Sequence, residues 1–180
     1  MSQRIERKYL SEFVYGGTDG IITTFAVVAG AIGASLGSSI ILILGFANLI
    51  ADGFSMGVSN YLSNKSQKEL HRKHKDVQRF RRAGKKAHKS GIATFLSFVV
   101  IGFIPLFSFV LAVFVPMINE YKFTLSIILT GVGFLVVGGI KGIIVKKSIT
   151  RSAIETLLIG GIAATLSFMV GFLLRGLVTG

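Results

Sequence analysis

The sequence predicts an all-α polytopic membrane protein with five transmembrane helices, its N-terminus cytoplasmic and its C-terminus outside. Three observations lead there. Hydrophobic residues make up 51% of the 180 residues, the mean hydropathy is +0.69, and the apolar residues are gathered into blocks. A hydrocarbon core about 30 Å thick needs about 20 apolar residues of helix, and five such stretches can be read, roughly 13–36, 38–65, 91–116, 123–145 and 153–174. Finally, the basic residues fall in alternate connections, as expected when short basic loops stay in the cytoplasm.

In chain order, Arg4, Arg7 and Lys8 precede the first span, which opens with "YGGTDGIITTF". The link to the second span, "GSS", carries no charge. The second span leads into a basic cytoplasmic linker, 66–90, containing Arg72, Lys73, Lys75, Arg79, Arg81, Arg82, Lys85, Lys86 and Lys89. Pro105 sits within the third span and is expected to kink it. The next link has only Lys122 against Glu120, the link from span four to span five has Lys146, Lys147 and Arg151, and nothing after Arg175 is charged. These spans leave no room for a separate soluble domain, so residues 1–180 are read as one transmembrane domain.

The formal charge of +12 is explained by this inside bias. Because the chain lacks the aromatic interleaving of a single-strand platform, no nucleic-acid partner is expected. The first apolar stretch is read as a span and not as a cleaved leader, being too long and interrupted by Asp19. Cysteine is absent, which excludes thiolate metal sites and disulfides. No resident cofactor and no enzymatic activity are expected.

An ionisable side chain inside a membrane segment costs several kcal/mol by order of magnitude and points to function. In the second span, "SSIILILGFANLIADGFSMGVSNYLSNKS", Asn48, Asp52, Met56 and Asn60 stand four apart and form one helical row. Facing lipid, that row would lack partners. Taking Phe13 and Lys65 as inner boundaries, Asp19 lies about 9 Å deep, Asn60 about 8 Å, Met56 about 14 Å and Asp52 about 20 Å. Oxygen ligands suit hard or intermediate divalent cations, and a thioether biases the set toward transition metals such as Fe(II). Asp19, Met56, Asp52 and Asn60 are therefore the candidate metal ligands. Gly16, Gly17 and Gly20 are expected to let the helix open around Asp19. The alternative is structural: Met56 as core filler, Asn48 and Asn60 as interhelical glue, and Gly16/Gly20, Gly33/Gly37 and Gly53/Gly57 as packing notches.

"GGTDGIITTFAVVAG" followed by "LIADGFSMGVSNYLSNKSQ" resembles the first two spans of the vacuolar iron transporter family, densely over residues 15–67 and more weakly through the five-span layout. The resemblance implies a homodimer of five-helix subunits with an ion path along the dimer axis, lined by spans one and two. It implies Fe(II) or Mn(II) moving out of the cytoplasm against protons. Asp19 matches the family's first-span transport aspartate, and Met56 its second-span pathway methionine.

Two departures stand out. Eukaryotic members carry a longer, glutamate-rich metal-collecting domain after span two, whereas here "QKELHRKHKDVQRFRRAGKKAHKS" is short and basic. Asn60 also stands where those members carry glutamate. In the linker His71 and His74, near Glu69 and Asp76, offer a weak metal site at most. Leu70, Val77, Phe80 and Ala83 or Ala87 recur at helical spacing, as in an amphipathic helix on anionic lipid. Lys141 and Glu155 are expected at similar depth as an interhelical ion pair, with a proton relay through Glu155 as the alternative.

The function expected is metal/proton antiport of Fe(II), with Mn(II) as a second cargo. The rivals are a channel or transporter for another small solute, and a non-transporting membrane subunit. The location expected is the cell inner membrane for a prokaryotic chain, and a vacuolar or other organelle membrane for a eukaryotic one.

Overall fold

The computed structural model describes residues 2–73 and 86–178. Among the described residues there are six α-helices: α1 (Ser2–Gly33), α2 (Ser38–Lys73), α3 (Ala87–Gly102), α4 (Ile104–Phe114), α5 (Lys122–Val145) and α6 (Ile149–Val178), with a 3-10 turn at Pro116–Ile118 before α5. Among the described residues there is no strand. Among the described residues, four helical stretches are long and apolar enough to cross a membrane: Tyr9–Gly33, Ser38–Leu70, Lys122–Val145 and Ile149–Leu177. α3 and α4, bent by 50° at Phe103, pass the same test of length and apolarity together, which gives five candidate spans when the pair is counted as one. Pro105 occupies the first turn of α4, where its missing N–H is tolerated, so the expected kink is present as a break between two helices.

The helices overrun the hydrocarbon-length stretches at several ends. α1 begins at Ser2 and α2 continues to Lys73, because charged residues with good helix propensity need no lipid to stay helical. Two tight reversals set the hairpins. Leu36 N–H donates to the Ala31 carbonyl at 2.9 Å around Ser35, whose φ is 59°; Lys147 N–H donates to the Gly142 carbonyl at 2.9 Å around Lys146, φ 55°. Both are left-handed helix stops of the Schellman kind. The first reversal therefore falls at Ala34–Gly37, slightly before the expected "GSS" link, and Gly37 has open space around it instead of a packing partner.

α1 is the hub, packing against α2, α3, α5 and α6. One side of it buries Ile21, Phe25 and Ala29 with Ile101, Phe134, Val137 and Ala164. The other places Val28 and Ala31 with Ile41, Leu49, Phe98, Leu106 and Phe109. Phe25 and Phe134 meet edge to face with ring centroids 6.3 Å apart, a favoured aromatic arrangement.

One expectation is corrected here. α1 runs as an unbroken helix through Gly16, Gly17 and Gly20, so these glycines do not open it. They are contact surface: a Cβ at Gly16 would collide with Thr94 and Ser97, and one at Gly20 with the Phe98 carbonyl of α3. Small residues let two helix backbones approach where lipid supplies no hydrophobic drive for association.

In the linker, His74, Asp76, Val77, Phe80 and Ala83 lie outside the described residues, as does the side chain of His71. Where the chain re-emerges, Lys86 N–H donates to Tyr9 Oη at 3.2 Å, tying the start of α3 to α1.

Candidate functional site

The polar residues singled out on α1 and α2 stand on helices that pack against each other. Asp19 is half-buried, and its carboxylate lies close enough to Asp52 of α2 for the two charges to repel. Among the described residues no hydrogen bond or ion pair reaches the Asp19 carboxylate, although its backbone carbonyl accepts from Thr23 Oγ1 at 2.9 Å. Two buried polar atoms, Thr18 Oγ1 and Asn48 Nδ2, also have no hydrogen-bond partner among the described residues. Thr18 adjoins Asp19, and Asn48 stands one turn from Asp52. A wet path satisfies such groups, whereas a dry apolar contact leaves them at a cost of about 1–3 kcal/mol each.

Met56 is half-buried against the cluster containing Leu49 and Phe98. It follows Asp52 by one helical turn, so thioether and carboxylate share one side of α2. Asp52 itself is exposed, as are Ser55 and Ser59. These three occupy one arc of α2, while Ile43, Ile50, Phe54, Val58 and Tyr61 occupy another. α2 thus presents two different surfaces away from its own chain: one small and polar, the other bulky and apolar.

Toward the end of α1 that bears its basic residues, a buried hydrogen-bond network joins three helices. Asn60 Nδ2 donates to Thr94 Oγ1 at 2.9 Å, and its Oδ1 accepts from Ser90 Oγ at 3.0 Å and from Asn64 Nδ2 at 2.5 Å. Both lone pairs of that Oδ1 are in use, so Asn60 must exchange a hydrogen bond before it can reach an ion. The single Ser90 hydroxyl proton is shared between Asn60 Oδ1 and Glu12 Oε1, which lies 2.7 Å from Ser90 Oγ, and Ser11 Oγ donates to Glu12 Oε2 at 2.8 Å. Glu12 is only 7% exposed and stands seven residues before Asp19, on the same face of α1 and about 10 Å from it along the axis. Sequence reasoning passed over Glu12 because it lies one residue before the apolar run. The available signal was Ser90, Thr94 and Ser97, a hydroxyl row at helical spacing on α3.

Away from this region, Lys141 Nζ lies 3.6 Å from Glu155 Oε2, joining α5 to α6 as a partly exposed ion pair. Among the described residues, no three His, Asp or Glu side chains gather in a metal-holding cluster. A single chain therefore has two carboxylates and a thioether on the packed helices α1 and α2, with Met56 against the apolar cluster and Asp52 exposed.

Comparison with known proteins adds an independent finding. The family model described as the VIT family matches residues 10–83 and 70–172. A vacuolar iron transporter from Plasmodium berghei is 26% identical over 229 aligned positions, covering 95% of this chain and 84% of that protein. Vacuolar iron transporter 1 from Eucalyptus grandis is 26% identical over 210 positions, covering 87% and 83%. Similarity to a vacuolar iron transporter from Toxoplasma gondii is denser and shorter: 47% over 62 residues, which is 34% of this chain and 20% of that protein.

Proposed function

The chain belongs to the VIT family, and from that premise we propose that it is a membrane carrier, not an enzyme, that moves Fe(II) out of the cytoplasm in exchange for protons, with Mn(II) as a second cargo. The observation that carries the reading is the placement of two acids on packed helices, Asp19 on α1 and Asp52 on α2, near enough for their charges to repel, with Met56 one turn from Asp52. Two carboxylates held together without a balancing cation among the described residues are relieved by a divalent ion or by protons. Binding of one therefore displaces the other, which is the thermodynamic basis of exchange.

In this scheme Asp19 is the main ligand and coupling site, Met56 admits transition metals in preference to Mg²⁺, and Asp52 passes the ion toward the outer half. The unpartnered polar atoms of Thr18 and Asn48 favour a hydrated path. An ion must leave as well as arrive, so a weak and incomplete ligand set suits transport.

The polar arc of α2 supports a homodimer through spans one and two. Asp52, Ser55 and Ser59 are exposed on the single chain and would lack partners in hydrocarbon. A second copy across a two-fold axis covers that arc and doubles the ligand set. The positive-inside pattern puts the N-terminus in the cytoplasm, with the basic linker on anionic lipid. The membrane is organellar, vacuolar included, in a eukaryote and the inner membrane in a prokaryote.

The test is flux into proteoliposomes containing the full chain. Fe(II) uptake should rise with an imposed pH gradient, fall when the gradient is collapsed, and be outcompeted by Mn(II) more readily than by Mg²⁺. Uptake of another small solute with no response to metal would replace the proposal with a different channel or carrier. Absence of any flux from folded protein would leave a non-transporting subunit.

A further inference from the structure

Between α2 and α3 runs an apolar groove of about 350 Å³, walled by Phe54, Val58 and Tyr61 on one side and by His88, Ile92 and Phe95 on the other. It exists because the two helices cross backbone to backbone. A Cβ on Gly57 would stand 2.9 Å from the Gly91 carbonyl oxygen, and one on Gly91 would stand 2.6 Å from that of Gly57. With no side chain at the crossing, the larger residues on either flank form the walls. On α2 they recur at positions 54, 58 and 61 and on α3 at 88, 92 and 95, in each case one stripe of a helix.

The groove is charged at one end only. Lys65 lies four residues beyond Tyr61 and Lys68 seven beyond, continuing the α2 stripe, while His88 begins the α3 stripe. On α2 the next acid is Glu69, four residues beyond Lys65, and Glu12 of α1 is buried behind the groove against Ser90. From Phe54 to Lys65 the helix rises about 16 Å, about half of a hydrocarbon core some 30 Å thick. That is the reach of an acyl chain from one leaflet. The stripe faces away from the polar arc of Asp52, Ser55 and Ser59, so pairing of two chains through that arc leaves it open to lipid.

We propose that this groove is a binding site for an anionic phospholipid of the cytoplasmic leaflet. The acyl chain lies between the α2 and α3 stripes over the Gly57–Gly91 crossing. The phosphate meets Lys65, Lys68 and His88, with the Tyr61 hydroxyl at headgroup level, where aromatic side chains are favoured. Lysine stems lie along the apolar wall while their ammonium groups reach the headgroup. A groove without Lys65 and Lys68 would take any lipid; the charge at its inner end selects an anionic one. This assignment does not depend on the cargo or on transport.

The chain contains no tryptophan, so single substitutions in the full-length protein are unambiguous fluorescent reporters. Ile92→Trp and Phe54→Trp place the probe in the groove, and Leu173→Trp on the exposed face of α6 is the reference. Each is reconstituted in bilayers containing dibrominated phosphatidylglycerol or dibrominated phosphatidylcholine, and quenching gives the relative affinity of the two lipids at that position. The expected result is a preference of about fivefold or more for phosphatidylglycerol at the groove, the order that one basic residue at an anionic surface contributes. It should be absent at Leu173 and lost when Lys65→Gln, Lys68→Gln and His88→Gln are combined. The proposal is overturned by equal quenching from both lipids in the groove, by an equal preference at Leu173, or by a preference that survives the triple substitution. Failure of either lipid to quench would also overturn it, since the groove would then be covered by protein.

Discussion

Gly102→Ala tests the close approach that holds Asp19 in place. Gly102 ends α3 just before the break in the third span, and it faces α1 at the residue following Asp19. A Cβ added there would meet Leu49 Cδ2 at 2.7 Å, the Gly20 carbonyl oxygen at 2.8 Å and the Gly20 carbonyl carbon at 2.9 Å. The leucine methyl can rotate away; the Gly20 backbone cannot. Restoring ordinary contact requires α1 and α3 to separate locally by about 0.6 Å, the shortfall against an everyday carbon contact of about 3.5 Å. Overpacking of this kind costs about 1–3 kcal/mol. The gain in helix propensity from glycine to alanine, up to about 1 kcal/mol in a helix interior, is reduced at a helix end and does not offset it. Gly131→Ala is the matched control, because nothing lies within 4 Å of its added Cβ and only the propensity gain remains. Thermal unfolding in detergent, followed by circular dichroism, should show Gly102→Ala melting several degrees lower and Gly131→Ala unchanged or slightly higher. Gly102→Ala should also lower metal uptake per folded molecule. A Gly102→Ala protein that melts and transports like the natural one would refute the argument that the α1–α3 contact positions Asp19.

Met56→Leu keeps volume and should shift stability by less than about 1.5 kcal/mol, while its relative uptake of Fe(II) over Mn(II) falls in a competition assay because the soft ligand is gone. Asn60→Leu removes the amide's bonds to Ser90, Asn64 and Thr94, each of which keeps another partner, and should cost about 0.5–1.5 kcal/mol, read as a lower melting temperature; an unchanged melt would show that the network contributes nothing. Lys141→Met removes one half of a partly exposed ion pair, so less than about 1 kcal/mol should be lost, and uptake should persist. Abolished uptake from a folded Lys141→Met protein would instead assign the pair to proton transfer.

Much of the fold was legible because lipid imposes a length rule that the sequence must obey. Span positions and the break near Pro105 followed from apolar runs and from the missing proline N–H, and the structure has both. The polar row on α2 reads as needing a partner, since a carboxylate cannot face hydrocarbon unpartnered, and the structure leaves Asp52 exposed on the single chain. The roles of the individual residues were less visible. Gly16, Gly17 and Gly20 read equally as a place for the helix to open or as a notch, and only the position of α3 against them decides for the notch. Asn60 reads as a ligand by its spacing, but Ser90, Asn64 and Thr94 engage its amide from positions up to 34 residues away. Glu12 escaped notice because a boundary drawn from hydropathy ends where the first charge appears, whereas the helix and its buried face continue past it. The linker's structure from 74 to 85 lies outside the described residues, and its basic composition remains its strongest signal.

The central claim is that Asp19 binds the transported ion and couples it to protons. The direct measurement is Fe(II) uptake into proteoliposomes under an imposed pH gradient, comparing the natural sequence with Asp19→Asn after size-exclusion chromatography has shown the same folded oligomer for both. The account predicts gradient-driven uptake by the natural protein and none by Asp19→Asn, because the amide keeps the shape but carries no exchangeable charge. Full uptake by Asp19→Asn would contradict it.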